Sequence, residues 1–422
     1  MRTSSVRDIK TSAALRQPLV PSARSLVLAQ LQQITSGRLL LTDGDDSYSF
    51  GECADKAQVT GRIEVLDARL YTLMLQRGML GAAEAYMQGW WQTPDLVALI
   101  RVMARNLPSA ARIDRRRSLW QRLALAGHAL FHRNTLAGSR RNIAAHYDLG
   151  NDFFALFLDR SMMYSSAIYA DGEQDLERAA AFKLDEICRK LSLSPADHVL
   201  EIGSGWGGFA CHAARHYGCR VTTTTISREQ YRRACQRVAD EGLSDRVTVL
   251  LQDYRELQGQ YDKLVSIEMI EAVGHEFYGD YFSCCSSLLK PEGQMLIQAI
   301  LMADQRYDMA RRHTDFIKRY IFPGGCLPSV SEIATAVARH SDMQLTALDD
   351  ISYDYAKTLA DWRQRFLQQL PAVRAQGFDE AFVRMWDFYF CYCQAGFMER
   401  SIHTAQLVFS KPGWRDPRYP CH

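Results

Sequence analysis

The chain has 422 residues, of which 47% are hydrophobic and 23% charged, with a net charge of +2. That length builds two or three domains around a large core, and the composition is that of an ordinary globular protein. The near-neutral balance removes any whole-chain case for nucleic acid, the 11 cysteines show no C-x-x-C spacing of a zinc site or disulfide framework, and no run approaches the roughly 20 apolar residues of a membrane span.

Residues 1–35 are polar and irregular and read as a flexible tail with one short helix. They hold no apolar core of the signal-peptide kind, so the expected compartment is reducing and cytoplasmic, with peripheral association at the inner face of a membrane. From Leu39 to Val65, "LLLTDGDDSYSFGE" and "AQVTGRIEVLD" read as short strands, and Leu70–Asn106 reads as helical with breaks at Gly78 and Gly89. Residues 36–110 are therefore expected to form a small α+β domain. Residues 111–142 read as a basic amphipathic linker: eight arginines stand between Arg112 and Arg141 against one acid, Asp114. Leu119, Trp120, Leu123, Leu130 and Phe131 fall near one helical face. Such a helix suits an anionic membrane surface, and equally a linker packed on its own protein. No nucleic-acid motif accompanies it.

From Asp171 onward helix and strand patterns alternate. "DLERAAAFKLDEICRKL" has helical spacing, and strands are predicted at "HVLEI", "CRVTTTT", "RVTVLL", "KLVSIE" and "QMLIQAI". This is the pattern of an open, doubly wound α/β sheet, whose ligands sit at the carboxyl ends of the strands. A helical insertion covers about 305–330 and ends in "IFPGGCLPS"; aromatic-rich helices and a last strand, "TAQLVFS", close the chain. The catalytic domain is expected over 143–412.

"VLEIGSGWGGFA" (Val199–Ala210) follows the first of these strands, and Gly203, Gly205 and Gly208 satisfy G-x-G-x-x-G. A dinucleotide site also needs an acid at the end of the second strand for the ribose, and here that strand ends "TTTTIS". Glu201, two residues before Gly203, offers a carboxylate to a cationic ligand. S-adenosylmethionine carries an ammonium and a sulfonium and no pyrophosphate, so it fits better than NAD or FAD. At the next strand ends, Gln230 of "TISREQ" suits ribose hydroxyls and "QDY" (Gln252–Tyr254) suits an adenine; singly, each is also an ordinary polar loop. "SIEMIEAVGH" places Glu268 and Glu271 near the top of the sheet, with Gln298 at the end of the fifth strand. Two acids and an amide there would orient a reactive anion or a substrate head group, or an acid would cap a helix.

"HYDLGNDFFALFLD", "MYSSA", "EIGSGWGG", "TISREQ", "LLQDYREL", "SIEMIEAVG" and "YIFPGGCLPS" occur in that order. Together, over roughly 140–410, they resemble the cyclopropane fatty acid synthase family, including the mycolic acid cyclopropane synthases. The N-terminal part more loosely resembles the extra domain of longer bacterial members. The resemblance implies a Rossmann-like S-adenosylmethionine methyltransferase that acts on the double bond of an unsaturated acyl chain, in phospholipid for the bacterial enzymes. It implies a carbocation whose proton passes to a bound bicarbonate as the ring closes. Tyr164 and Ser165 would line the donor pocket, and Val199, Leu200, Glu201, Ile202, Gly203, Ser204, Gly205, Trp206 and Gly207 would form its floor. Thr225, Ile226, Ser227 and Gln230 would take the ribose, and Asp253, Tyr254 and Arg255 would flank the adenine. Ser166, Glu271, Gln298, Tyr355 and the backbone of Ile300 would hold the bicarbonate. Cys393 matches a cysteine sometimes labelled catalytic, although no step needs a thiolate and a structural cysteine is as good a reading. No metal is implied. A homodimer is suggested, and a reductase partner where the product is methyl-branched.

Two positions depart from the family pattern. Ser166 stands where cysteine is usual, and Gln298 where many members have histidine. A ring, a methyl-branched chain and a methylated unsaturated chain all stay open as products. A small-molecule methyltransferase on the same scaffold and a catalytically silent lipid-binding protein are the competing readings.

Overall fold

The computed structural model describes residues 22–51, 59–106 and 149–415. The basic stretch 111–142 lies outside the described residues, as does His146–Asp148 at the start of the first family motif.

The chain begins with α1 (Ala23–Leu31), whose Ser22 hydroxyl accepts from the Ser25 N–H. Residues 22–35, read above as tail, instead send Val27, Leu31 and Ile34 into a core. The i, i+4, i+7 spacing of these three is the helical signal that the polar surroundings obscure. Strands β1 (Arg38–Asp43), β2 (Asp46–Phe50) and β3 (Thr60–Val65) follow, then α2 (Arg69–Met87), β4 (Trp91–Gln92) and α3 (Leu96–Arg105). The strands form a small sheet in the order β2-β1-β3-β4. The expected break at Gly78 is a kink within α2, where the glycine has φ 59°.

The second part opens with α4 (Asn151–Ala155) and α5 (Leu176–Lys190). Then β5 (His198–Ile202), α6 (Gly208–Tyr217), β6 (Arg220–Thr225), α7 (Arg228–Asp240), β7 (Val247–Leu251), β8 (Tyr261–Ile267), α8 (Tyr278–Ser287) and β9 (Leu289–Met302) alternate. After α9 (Asp304–Arg312) come α10 (Val330–His340), β10 (Gln344–Asp350), α11 (Ser352–Gln368), α12 (Leu370–Ala375), α13 (Glu380–Met398) and β11 (Ile402–Ser410). The seven-stranded sheet has the order β10-β11-β9-β8-β5-β6-β7. Strands β5 to β9 pair in parallel, whereas β11 and β10 are antiparallel additions. The sheet is thus mixed, and β10 escaped prediction. Every residue of β10 is exposed, so it carries no buried alternation to read. Strand order reverses around β5, which puts the ligand crevice at its carboxyl end.

The small sheet and the helices over the large one share one apolar core: Trp91, Leu99 and Val102 cluster with Phe153, Trp362 and Trp386. Polar ties reinforce the seam. Tyr86 donates to Asp387 at 2.8 Å, and Arg101 and Arg105 pair with Glu399 at 2.6 and 2.7 Å. No helix among the described residues is long and apolar enough to cross a membrane.

Candidate active site

The floor is the turn between β5 and α6. Gly203, Gly205 and Gly207 all take positive φ, at 97°, 48° and 85°. A side chain at any of them would be strained, and at Gly205 the backbone also lies open, with nothing within 4 Å of where a Cβ would stand. The Gly203 and Ser204 N–H groups both donate to the Thr224 carbonyl, locking the turn to β6. Gly208 is required for a different reason. A Cβ there would stand 2.7 Å from the Ser161 carbonyl and 2.8 Å from the Met163 sulfur. Residues 161–163 lead directly into Tyr164–Ser166. Gly208→Ala is therefore expected to displace that segment and weaken S-adenosylhomocysteine binding by about 10-fold or more, which calorimetry measures; each 1.4 kcal/mol of strain is a factor of ten.

The remaining donor-pocket residues surround this turn. Tyr164 donates to the Tyr389 hydroxyl at 3.1 Å, with its ring against Phe154, Trp362 and Phe322. Ser165 is buried and accepts from Lys183 Nζ at 2.9 Å. Trp206 is buried against Phe154 and donates to Asn151 at 2.6 Å. Ser227 caps α7, and Thr225 donates to the Gln230 side-chain carbonyl oxygen at 2.9 Å, which fixes the amide with its NH2 on the other side. Asp253 holds Arg255 at 2.8 Å, and Arg255 lies over the Tyr254 ring. Ile226 follows β6 beside them.

Three predicted roles change. Val199 and Leu200 belong to the cores on the two faces of the sheet, and Ile202 is buried with Leu200, so these side chains stay below the crevice. Glu201 is fully buried, its Oε2 accepts from Thr223 at 2.5 Å, and the positive charge of Lys183 acts on it. Burial raises its pKa to about 7. Cys393 sits on α13 with its thiol pushed well up by burial, the wrong direction for a nucleophile.

The second half of the site is a cage of buried polar groups. Glu268, at φ 49°, follows β8; its Oε1 accepts from the Ser166 N–H at 2.9 Å and from Gln298 Nε2 at 2.8 Å. Its Oε2 accepts from the Tyr355 hydroxyl at 2.7 Å. Glu271 Oε1 accepts from the Ile300 N–H at 2.5 Å, while its Oε2 is buried without a partner. Burial raises Glu271 to about 8, with Glu268 adding to the rise and the Ile300 N–H opposing it. Burial raises Glu268 too, but Tyr355, Gln298, the Ser166 N–H and Lys183 all oppose that. With three donors against one, the pair's negative charge rests on Glu268 and its proton on Glu271.

The groups assigned to bicarbonate are therefore brought together, and their donors are already engaged within the chain. Gln298 is fully committed: Nε2 serves Glu268 and the Ser166 carbonyl, and Oε1 accepts from Gln406. The Ser166 hydroxyl donates to the Ala167 carbonyl. The Tyr355 hydroxyl and the Ser166 N–H already serve Glu268. Sequence reasoning also missed Lys183, which looks like one polar position in the α5 pattern, and Gln406, hidden in the strand read as "TAQLVFS". Only the pairing of β11 with β9, which sets Gln406 opposite Gln298, reveals the latter.

The residues fit S-adenosylmethionine: a glycine turn at positive φ with no charged side chain in it, and the Gln230 amide just beyond the end of β6. Comparison with known proteins agrees. Residues 135–407 match the family described as mycolic acid cyclopropane synthetase. The chain is 39% identical over 356 residues to the cyclopropane-fatty-acyl-phospholipid synthase of Escherichia coli K12, covering 83% of this chain and 87% of that one. It is 38% identical over 348 residues to the tuberculostearic acid methyltransferase UfaA1 of Mycobacterium tuberculosis, covering 80% of each. Among solved structures, the mycolic acid cyclopropane synthase CmaA1 with S-adenosylhomocysteine superposes with a TM-score of 0.60 at 30% identity, over 64% of this chain and 98% of that one. The chain belongs to the cyclopropane fatty acid synthase family and is an S-adenosylmethionine-dependent methyltransferase.

Proposed function

We propose that the protein transfers the methyl group of S-adenosylmethionine to the double bond of an unsaturated acyl chain in a membrane phospholipid and closes a cyclopropane ring. The observation that carries this is the aromatic cluster around Tyr164, which follows the segment packed on Gly208. Tyr164, Phe322, Trp362 and Tyr389 pack together as one aromatic cluster, and the Glu268 carboxylate is tied to protein donors. Such a site offers an alkene apolar contact and dryness.

When bound, S-adenosylmethionine supplies an electrophilic methyl group. The chain's part is to hold the alkene in line and to exclude water from the cation formed on it. A methylated rather than cyclised product is the second reading, favoured by one observation: the 38%-identical relative is named a tuberculostearic acid methyltransferase. A methyl-branched product would call for a reductase partner.

The test is incubation with vesicles of monounsaturated phospholipid and labelled donor, followed by chromatography and mass analysis of the fatty acids. A ring and a methylated alkene both add CH2 and separate on the column; a saturated branch adds two further hydrogens. Label in no lipid would refute the reading.

A further inference from the structure

We infer that the Glu268 carboxylate is the chain's own base, standing where the family resemblance expects a bound bicarbonate. The inference rests on the methyl-transfer reading above. Three of the predicted anion contacts, the Ser166 N–H, Gln298 and Tyr355, close on Glu268 at 2.7–2.9 Å. A fourth, the Ile300 N–H, closes on Glu271 at 2.5 Å. The predicted donor set is real, and a side chain from the same fold already satisfies it.

The position is built for this. Glu268 is one of four non-glycine residues with positive φ among the described residues, and it is half-buried. Such a backbone costs roughly 1–3 kcal/mol and persists where surroundings over-determine it. Its own N–H donates to the Gln298 carbonyl at 2.7 Å, so strand β9 fixes the backbone as well as the side chain. The next residue, Met269, lies against Gly203, where a Cβ would stand 3.3 Å from its side chain. The carboxylate thus sits beside the floor of the donor pocket. Gln406 accepts from Lys190 at 2.7 Å and donates to Gln298 at 3.0 Å, which holds the Gln298 amide with its NH2 toward Glu268.

The chemistry balances. The alkene's π pair forms the bond to the methyl carbon as the C–S bond breaks, and that pair stays on sulfur. The adjacent carbon becomes cationic. Glu268 takes a proton from the added methyl, and the released C–H pair closes the ring. If a hydride shifts first to the cationic carbon, the same proton transfer leaves a methylene group instead. Either way one proton ends on Glu268 and passes to water on product release.

The experiment compares wild type, Glu268→Gly and Glu268→Gln. Glycine suits the left-handed backbone and empties the cage; glutamine keeps its shape without a base. Binding of ¹³C-bicarbonate, followed by NMR on protein saturated with S-adenosylhomocysteine, is expected for Glu268→Gly only. In bicarbonate-depleted buffer with unsaturated phospholipid vesicles, wild type should turn over normally. Both variants should lose about 100-fold or more, and formate or bicarbonate should restore about 10-fold to Glu268→Gly but nothing to Glu268→Gln. Bicarbonate binding to wild type, dependence of its turnover on added bicarbonate, or an active Glu268→Gln would overturn the inference. If wild type modifies no lipid, the substrate reading falls, and the binding arm alone still decides who fills the cage.

Discussion

Lys183→Met is expected to lower the urea midpoint at pH 8 by the equivalent of about 3–5 kcal/mol, the usual cost of removing one partner from a buried charge cluster. Lys183 is wholly buried on α5 and faces Glu268, Asp159 and Glu201. Burial pushes its amine down to about 8 while these acids pull it up, so near neutral pH it still carries its charge. Methionine fills the volume but leaves the carboxylates uncompensated and the Ser165 hydroxyl without its donor. At pH 6 the loss should be smaller, because the acids can then take up protons. The same change should move the acid limb of the kcat/KM profile upward, since Glu268 loses a cation that favours its ionised form. An unchanged midpoint at both pH values would show that Lys183 is neutral in the folded protein.

Glu271→Gln should remove a pH dependence that wild type carries. Glu271 has an ordinary value of 4.5 and is raised to about 8, chiefly by burial and then by the neighbouring Glu268 charge. Between these values the folded chain keeps a proton that the unfolded chain has lost. The associated stability is fully present below about 4.5 and is lost as pH rises through 8. At about 1.4 kcal/mol per unit, the whole effect is roughly 5 kcal/mol. Glutamine imitates the neutral acid and accepts from the Ile300 N–H in the same way. Denaturation midpoints measured from pH 5 to 9 should therefore show the variant gaining steadily on wild type. Glu201, raised in the same sense, is common to both proteins and cancels in the difference. Parallel curves would mean that Glu271 is ionised in the fold and that the negative charge is shared differently between the two acids.

Much of the scaffold was legible because it rests on local rules. Strands β5, β6, β7, β8 and β9 are short apolar runs between helical patterns, and all five were predicted. The glycine turn declared itself through spacing, since backbone at positive φ favours glycine whatever surrounds it. The missing acid after β6 was equally local, and it pointed away from a dinucleotide. What failed had no local signature. Strand β10 is exposed throughout, and nothing along the sequence sets Lys183 beside Glu201 and Glu268.

The sequence by itself determined the family, the sheet, the donor turn and the residue types gathered around it, because each lies within a few positions of a strand end. Only the tertiary structure decided how those residues spend their hydrogen bonds. Ser166, Glu268, Gln298, Tyr355 and Gln406 are scattered over some 240 positions, and the folded chain brings them together. Each has a small number of donors and acceptors, and once buried those must be satisfied from within. That constraint draws the Ser166 N–H, Gln298 and Tyr355 onto Glu268, a choice of partners that motif spacing does not encode.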